Sequence, residues 1–156
     1  MNAAKHTPAE LGEASNHLYY EVWMLESTAS VLATGRLEQG PFANALLESF
    51  IIHVRAVMDF LYAHKPQEDD VKAEDFFDTP DQWINTRPQL SQTLSTAKYR
   101  AGKEVAHLTY ARLRVTPETK PWLFVDIANE VTVVMNSFLN AVDKNRLGSR
   151  WQSPTP

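Results

Sequence analysis

Arg100 and His107 lie seven residues apart in the stretch Lys98-Tyr-Arg-Ala-Gly-Lys-Glu-Val-Ala-His-Leu-Thr-Tyr-Ala-Arg112. On a continuous α-helix that spacing is about two turns, so both side chains leave one face, roughly 10 Å apart along the axis. A guanidinium and an imidazole so placed could hold and attack a phosphodiester. The arginine would carry the phosphate charge and the histidine would move the proton.

A different set of polar side chains falls on the segment from Pro41 to Tyr62. Projected at about 100° per residue, Leu46, Leu47, Phe50, Ile51, Val54, Val57, Met58 and Leu61 fill one apolar sector. Ala45, Ser49, Ala56 and Phe60 occupy the next. Between them Glu48, Arg55 and Asp59 form a narrow charged line, with His53 at the other border. Charges on so apolar a helix are costly unless paired, and Arg55 can reach Asp59 four residues on. The line reads either as a structural ion network or as a polar pocket in which Glu48 and Asp59 tune a neighbouring base. His53 by itself reads as a satisfied core histidine.

These residues need helices to hold them, and the chain supplies four long segments of helical periodicity. The first begins at Thr7-Pro8, an N-cap followed by proline at the first helical position, and ends near Gly35. Its apolar stripe is Leu11, Ala14, Leu18, Val22, Leu25, Ala29 and Leu32. The second follows Gly40-Pro41. The third is expected from about Pro88 to Arg114. The fourth is expected from Thr116-Pro117-Glu118, with Phe124, Ile127, Ala128, Val131, Val134, Met135, Phe138 and Val142 on one side. No segment alternates with the period of a strand. Short connections at Gly35–Pro41 and Val115–Pro117 favour antiparallel neighbours, giving an all-α, antiparallel, up-and-down four-helix bundle. The connection between the second and third helices, His64–Arg87, is long and acidic, with room for short helices. Phe76, Phe77, Trp83 and Ile84 are its candidate anchors to the bundle. Residues 1–145 read as a single helical domain, and 146–156 as a disordered tail.

Composition bounds what such a bundle could do. The 156-residue chain has no cysteine, which removes disulfides, thiolate zinc sites and a cysteine nucleophile together. Its net charge of −4 argues against constitutive binding of long nucleic acid and for local contact at most. Five glycines include no phosphate loop, dinucleotide fingerprint or nucleophile elbow. No cofactor is implied. The N-terminus lacks the apolar run of a signal peptide, and no segment is apolar for long enough to span a membrane, so a cytoplasmic protein is expected.

The segments Glu48-Ser-Phe-Ile-Ile-His-Val-Arg-Ala-Val-Met-Asp-Phe60, Asp69-Asp-Val-Lys-Ala-Glu-Asp-Phe-Phe77 and Ala106-His-Leu-Thr-Tyr-Ala-Arg112 resemble a group of uncharacterised bacterial helical proteins. Those proteins in turn resemble HEPN domains. The resemblance covers roughly Asn44 to Arg114. It implies an antiparallel helical bundle that dimerises and acts either as a metal-independent endoribonuclease or as a non-catalytic binding module. On the family's Arg-x4–6-His pattern, Arg100 would bind phosphate and His107 would act as general acid or base. Asp75 and Arg112, inside the matching segments, join Glu48, His53, Arg55 and Asp59 as a candidate binding cluster.

Three functions follow as expectations. The first is a homodimeric, non-catalytic interaction module with a protein or RNA partner. The second is the endoribonuclease built on Arg100 and His107. The third is a metal-dependent helical enzyme using some of His17, His53, His64 and His107, although no compact helical metal motif is present. A homodimer is expected in particular because the second helix has more apolar circumference than one core needs, and Ala45, Ser49 and Ala56 allow close approach.

Overall fold

Every regular element among the described residues, 6–36 and 40–152, is helical in the computed structural model, and no strand occurs among them. Helix α1 spans Pro8–Ala33. Its first turn is closed reciprocally: Glu10 N donates to Thr7 Oγ1 at 3.2 Å, and Thr7 N donates to Glu10 Oε2 at 2.8 Å. That bond from the Thr7 backbone holds the Glu10 carboxyl below its ordinary value. Beyond the C-terminus of α1, Gly35 takes φ of 63°, the left-handed conformation that glycine enters without penalty. Helix α2, Pro41–Leu61, starts from Gly40 at φ 146°.

The expected stripes are the observed core. Leu11, Leu18, Leu25 and Ala29 of α1 are buried, as are Phe50, Ile51, Val54, Val57, Met58 and Leu61 of α2. Helix α5, Phe124–Ala141, buries Ile127, Ala128, Val131, Val134, Met135 and Phe138. Helix α1 packs along α2, and α5 packs against both. Helix α4, Gln92–Arg100, packs on α2 and α5. Ser91 caps α4 by accepting from Leu94 N at 3.1 Å, and its hydroxyl donates to the Glu130 carboxylate on α5.

Two boundaries differ from expectation. Instead of one helix from Pro88 to Arg114, α4 passes into a π-helical turn, Ala101–Ala106. Extended backbone follows at His107, then a 3₁₀ turn, Tyr110–Arg114. Thr109 helps to end the π-turn, its hydroxyl donating to Lys103 O at 2.6 Å. The helix expected from Thr116-Pro117 begins instead at Phe124. Residues 116–120 form a turn in which Lys120 N donates to Thr116 O at 2.8 Å. A helix started at Pro117 would place Pro121 in its interior, where the ring clashes and no N–H is available.

The connection between α2 and α4 holds a 3₁₀ turn, Ala73–Phe76, and helix α3, Pro80–Thr86. It is fastened by an aromatic cluster around Phe138 of α5. Ring centroids of Phe60, Phe76, Phe77 and Trp83 lie 5.1, 5.7, 6.0 and 5.6 Å from it, all edge-on. Trp83 also donates its indole N–H to Leu61 O at 2.9 Å, satisfying a C-terminal carbonyl of α2. Ile84, the fourth expected anchor, is 43% exposed instead.

The tail departs further. Residues 144–152 carry two 3₁₀ turns and pack on α1, contrary to the disorder expected from 146. Leu147 is buried, Trp151 Nε1 donates to Ser15 O at 2.7 Å, and Gly148 N donates to Ser15 Oγ at 2.7 Å. Residues 153–156 lie outside the described residues. Gly148 touches α1 so closely that a Cβ there would sit 2.3 Å from Asn16 Oδ1 and 2.4 Å from Gly12 O.

Phe138→Ala should remove the shared partner of four aromatic rings and lower unfolding free energy by about 3–5 kcal/mol. Urea denaturation measures the loss, and limited proteolysis should show new cleavage between residues 64 and 87. A variant as stable and as resistant as the parent would disprove the fastening role. Gly148→Ala should detach the tail, read as a red shift of Trp151 emission against a Trp151→Phe control. Unchanged emission would show that the contact tolerates a side chain.

Candidate functional site

Arg100 is the last residue of α4, and all three nitrogens of its guanidinium are engaged. Nε lies 2.9 Å from both Glu104 oxygens, and Nη2 lies 2.9 Å from Oε2. Nη1 donates to Pro121 O at 3.0 Å and Nη2 to Lys120 O at 3.1 Å. The plane rests over the Trp122 ring, 4.1 Å from its centroid. Together these contacts pin the irregular segment 115–123 across the end of α4. The π-turn brings Glu104 to this arginine. His107 lies beyond the turn on extended, exposed backbone, and no hydrogen bond, ion pair or ring contact joins it to Arg100. The shared helical face expected from their spacing does not form, because the α-helix ends between them.

The remaining candidates separate into pairs rather than one cluster. Asp59 is the centre of one group: Arg55 Nε lies 3.5 Å from its carboxylate and Lys98 Nζ of α4 lies 2.8 Å from it. Arg55 and Asp59 are 40% and 51% exposed, so the pair sits at the surface, where ion pairs contribute little. Glu48, on the same helix, is exposed and has no recorded partner. His53 turns to the opposite neighbour. Its Nδ1 lies 2.6 Å from Glu21 Oε2 on α1, and Tyr20 meets the ring edge-on at 5.8 Å. His53 is 12% exposed, as expected of a satisfied interior imidazole. Asp75 is local to the connection, accepting from Lys72 N at 3.0 Å. Arg112 donates to Val105 O at 3.1 Å.

Among the described residues, no three His, Asp or Glu side chains converge to hold a metal ion. His17, one of the expected ligands, is 82% exposed and 4.0 Å from Glu13 alone. No helix among the described residues is long and apolar enough to cross a membrane.

Two features were not anticipated. The segment 107–114 projects Leu108, Tyr110 and Leu113 into solvent at 91%, 88% and 82% exposure. In sequence, Lys98, Arg100, Lys103, Arg112 and Arg114 against Glu104 give residues 98–114 a net charge of +4, in a chain of −4. This charge count was legible in the sequence; the exposure was not. The other feature is the end of α2, where Tyr62, Arg87 and Lys98 meet. Arg87 Nη1 donates to Leu61 O at 3.2 Å and lies 3.6 Å from Glu74 Oε1, while its guanidinium covers the Tyr62 ring at 5.1 Å. Burial pushes the Tyr62 phenol up from its ordinary value, with Arg87 pulling the other way. Nothing in one sequence marks this convergence, because it depends on how the connection folds back over α2.

Comparison of the chain with protein-family models, with curated proteins and with solved structures returns no match.

Arg100→Ala should free residues 115–123 and destabilise by about 1–3 kcal/mol, the loss expected when charged hydrogen bonds leave partners unsatisfied. Arg100→Lys should recover little, because a point ammonium cannot make the fork, the carbonyl bonds and the stacking together. Chemical denaturation of both variants tests this. Full rescue by lysine would reduce the site to simple charge neutralisation.

Proposed function

We propose that this chain is an HEPN-like, antiparallel four-helix bundle that dimerises and serves as a non-catalytic interaction module. Its partner is an acidic protein segment. The observation that carries the reading is the projecting segment 107–114. Three large apolar side chains within six residues, each more than four-fifths exposed, are unusual on a surface that meets only water. Set among arginines and lysines, they suit a partner that is acidic and presents apolar side chains. Leucines favour protein over nucleic acid here, since bases gain most from stacking on aromatic faces.

Dimerisation is supported by the outer face of α2. Phe42 is 84% exposed and Ile52 55% exposed, with Ala45, Ser49 and Ala56 along the same side. The competing reading, an endoribonuclease using Arg100 and His107, requires free guanidinium donors aimed at a phosphate. The contacts of Arg100 with Glu104, Pro121, Lys120 and Trp122 weigh against it.

Light scattering should return twice the 17.7 kDa chain mass, and a monomer at micromolar concentration would remove the dimer. Fluorescence anisotropy with a labelled acidic, leucine-bearing peptide should show binding that weakens with salt. Leu108→Ser/Leu113→Ser and Arg112→Gln/Arg114→Gln should each weaken it about tenfold, or about 1.4 kcal/mol. Preference for single-stranded RNA over the peptide would overturn the partner assignment. Metal-independent RNA cleavage lost in His107→Ala would restore the ribonuclease reading.

A further inference from the structure

We propose that the depression at the C-terminal end of α2 is a binding site for a small organic monoanion, a carboxylate on a compact apolar body. The depression encloses about 530 Å³ between α2, the connection and α4, a volume suited to a small molecule. Its polar wall is Tyr62, His64, Arg87 and Lys98; its apolar wall includes Ile84 and Leu90.

The cations there are held in place yet retain donors. The hydrogen bond and ion pair of Arg87 both run from Nη1, so Nη2 and Nε have no partner among the described residues. Its guanidinium is kept from swinging away by the Tyr62 ring, and that ring is fixed by the Tyr62 hydroxyl donating to Pro88 O at 2.8 Å. Lys98 Nζ reaches Asp59 at 2.8 Å and Tyr62 O at 3.2 Å, leaving one of its three N–H groups. His64 is exposed and has no hydrogen-bond or ion-pair partner among the described residues. Two carbonyls at the end of α2, which would repel an anion, are already covered: Leu61 O by Trp83 and Arg87, Tyr62 O by Lys98.

Charge sets the valence of the ligand. The lining cations Arg87 and Lys98, their partners Glu74 and Asp59, and Arg55, which pairs with Asp59, together carry +1. One carboxylate balances that, whereas a phosphate dianion would leave an unneutralised charge. Ile84 and Leu90, 43% and 40% exposed, supply the surface that the apolar body would cover. The arginine fork matches a carboxylate in geometry as well as in sign.

The test is a titration of the intact chain with benzoate, benzyl alcohol and inorganic phosphate in separate experiments, followed by backbone amide NMR shifts. Benzoate should produce saturable shifts at Ala63, Ile84, Leu90 and Lys98, and the other two probes should not. Lys98→Gln should raise the apparent Kd about tenfold. Because Lys98 also covers Tyr62 O, a second variant, Leu90→Asp, puts a like charge at the exposed rim and touches no hydrogen bond. It should also weaken benzoate about tenfold with an unchanged circular dichroism spectrum. The proposal is overturned if benzoate gives no saturable shifts at about 10 mM, a concentration well above the millimolar affinities expected of fragments. It is likewise overturned if benzyl alcohol or phosphate shifts the same amides equally, or if folded Leu90→Asp binds like the parent.

Discussion

The ring of Phe138 is the contact on which the architecture turns. Long helices bring their own hydrogen bonds, but the connection between α2 and α4 has only two short helical pieces and a strongly acidic sequence. Ordering it carries a large conformational cost of about 1–2 kcal/mol for each residue's backbone. Offsetting that requires substantial apolar burial at a few points. Phe76 and Trp83, both fully buried, provide it by meeting Phe138 and Phe60 edge-on. Edge-to-face geometry places the positive rim of one ring on the negative face of the next, and adds about 0.5–1.5 kcal/mol per pair beyond area. Trp83 further couples packing to polar satisfaction, since its N–H takes the Leu61 carbonyl that the end of α2 leaves open.

Arginine performs the equivalent service for irregular backbone elsewhere. Arg87 donates to Leu61 O, Arg100 to Pro121 O and Lys120 O, and Arg146 to Phe76 O at 3.0 Å. Each links segments more than fifteen residues apart, and each pairs with a carboxylate: Glu74, Glu104 and Asp78 respectively. A planar fork with five N–H donors suits this task, because it can satisfy two carbonyls and a carboxylate at once. The consequence for reading function is direct. An arginine at a motif position has the same chemistry whether it grips a phosphate or a turn of its own chain.

Periodicity made α1, α2 and α5 legible because their burial is decided by side chains three and four residues apart within one segment. The third helix was not legible in the same way. Its π-turn and early end depend on Arg100 finding Glu104 and Trp122, and the latter lies over twenty residues away. The late start of α5 did leave a local signal in Pro121, which outweighs the favourable Thr116-Pro117 pair. The docked tail left none: Trp151 is half-buried against Ser15 and Tyr19, and nothing adjacent to it in sequence foretells that meeting. Glu48, Arg55 and Asp59 follow one side of α2 by helical spacing alone. That Asp59 meets Lys98 of α4 was not readable, because a single sequence fixes which face a residue occupies but not which helix faces it.

Net charge illustrates the same limit at the scale of the surface. A value of −4 for the chain argues against anionic partners only if the charges are spread evenly. At physiological ionic strength the screening length is about 8 Å, so a ligand at residues 98–114 responds to charges within that distance and little beyond. Over those residues the sequence balance is +4, offset at one end by Asp59 of α2, 2.8 Å from Lys98, while the acidic connection carries its carboxylates on other elements. Segregation of this kind lets an overall acidic chain still present a basic, apolar edge. A partner of the proposed kind would therefore be selected by the local field and the three projecting side chains, not by the sign of the whole.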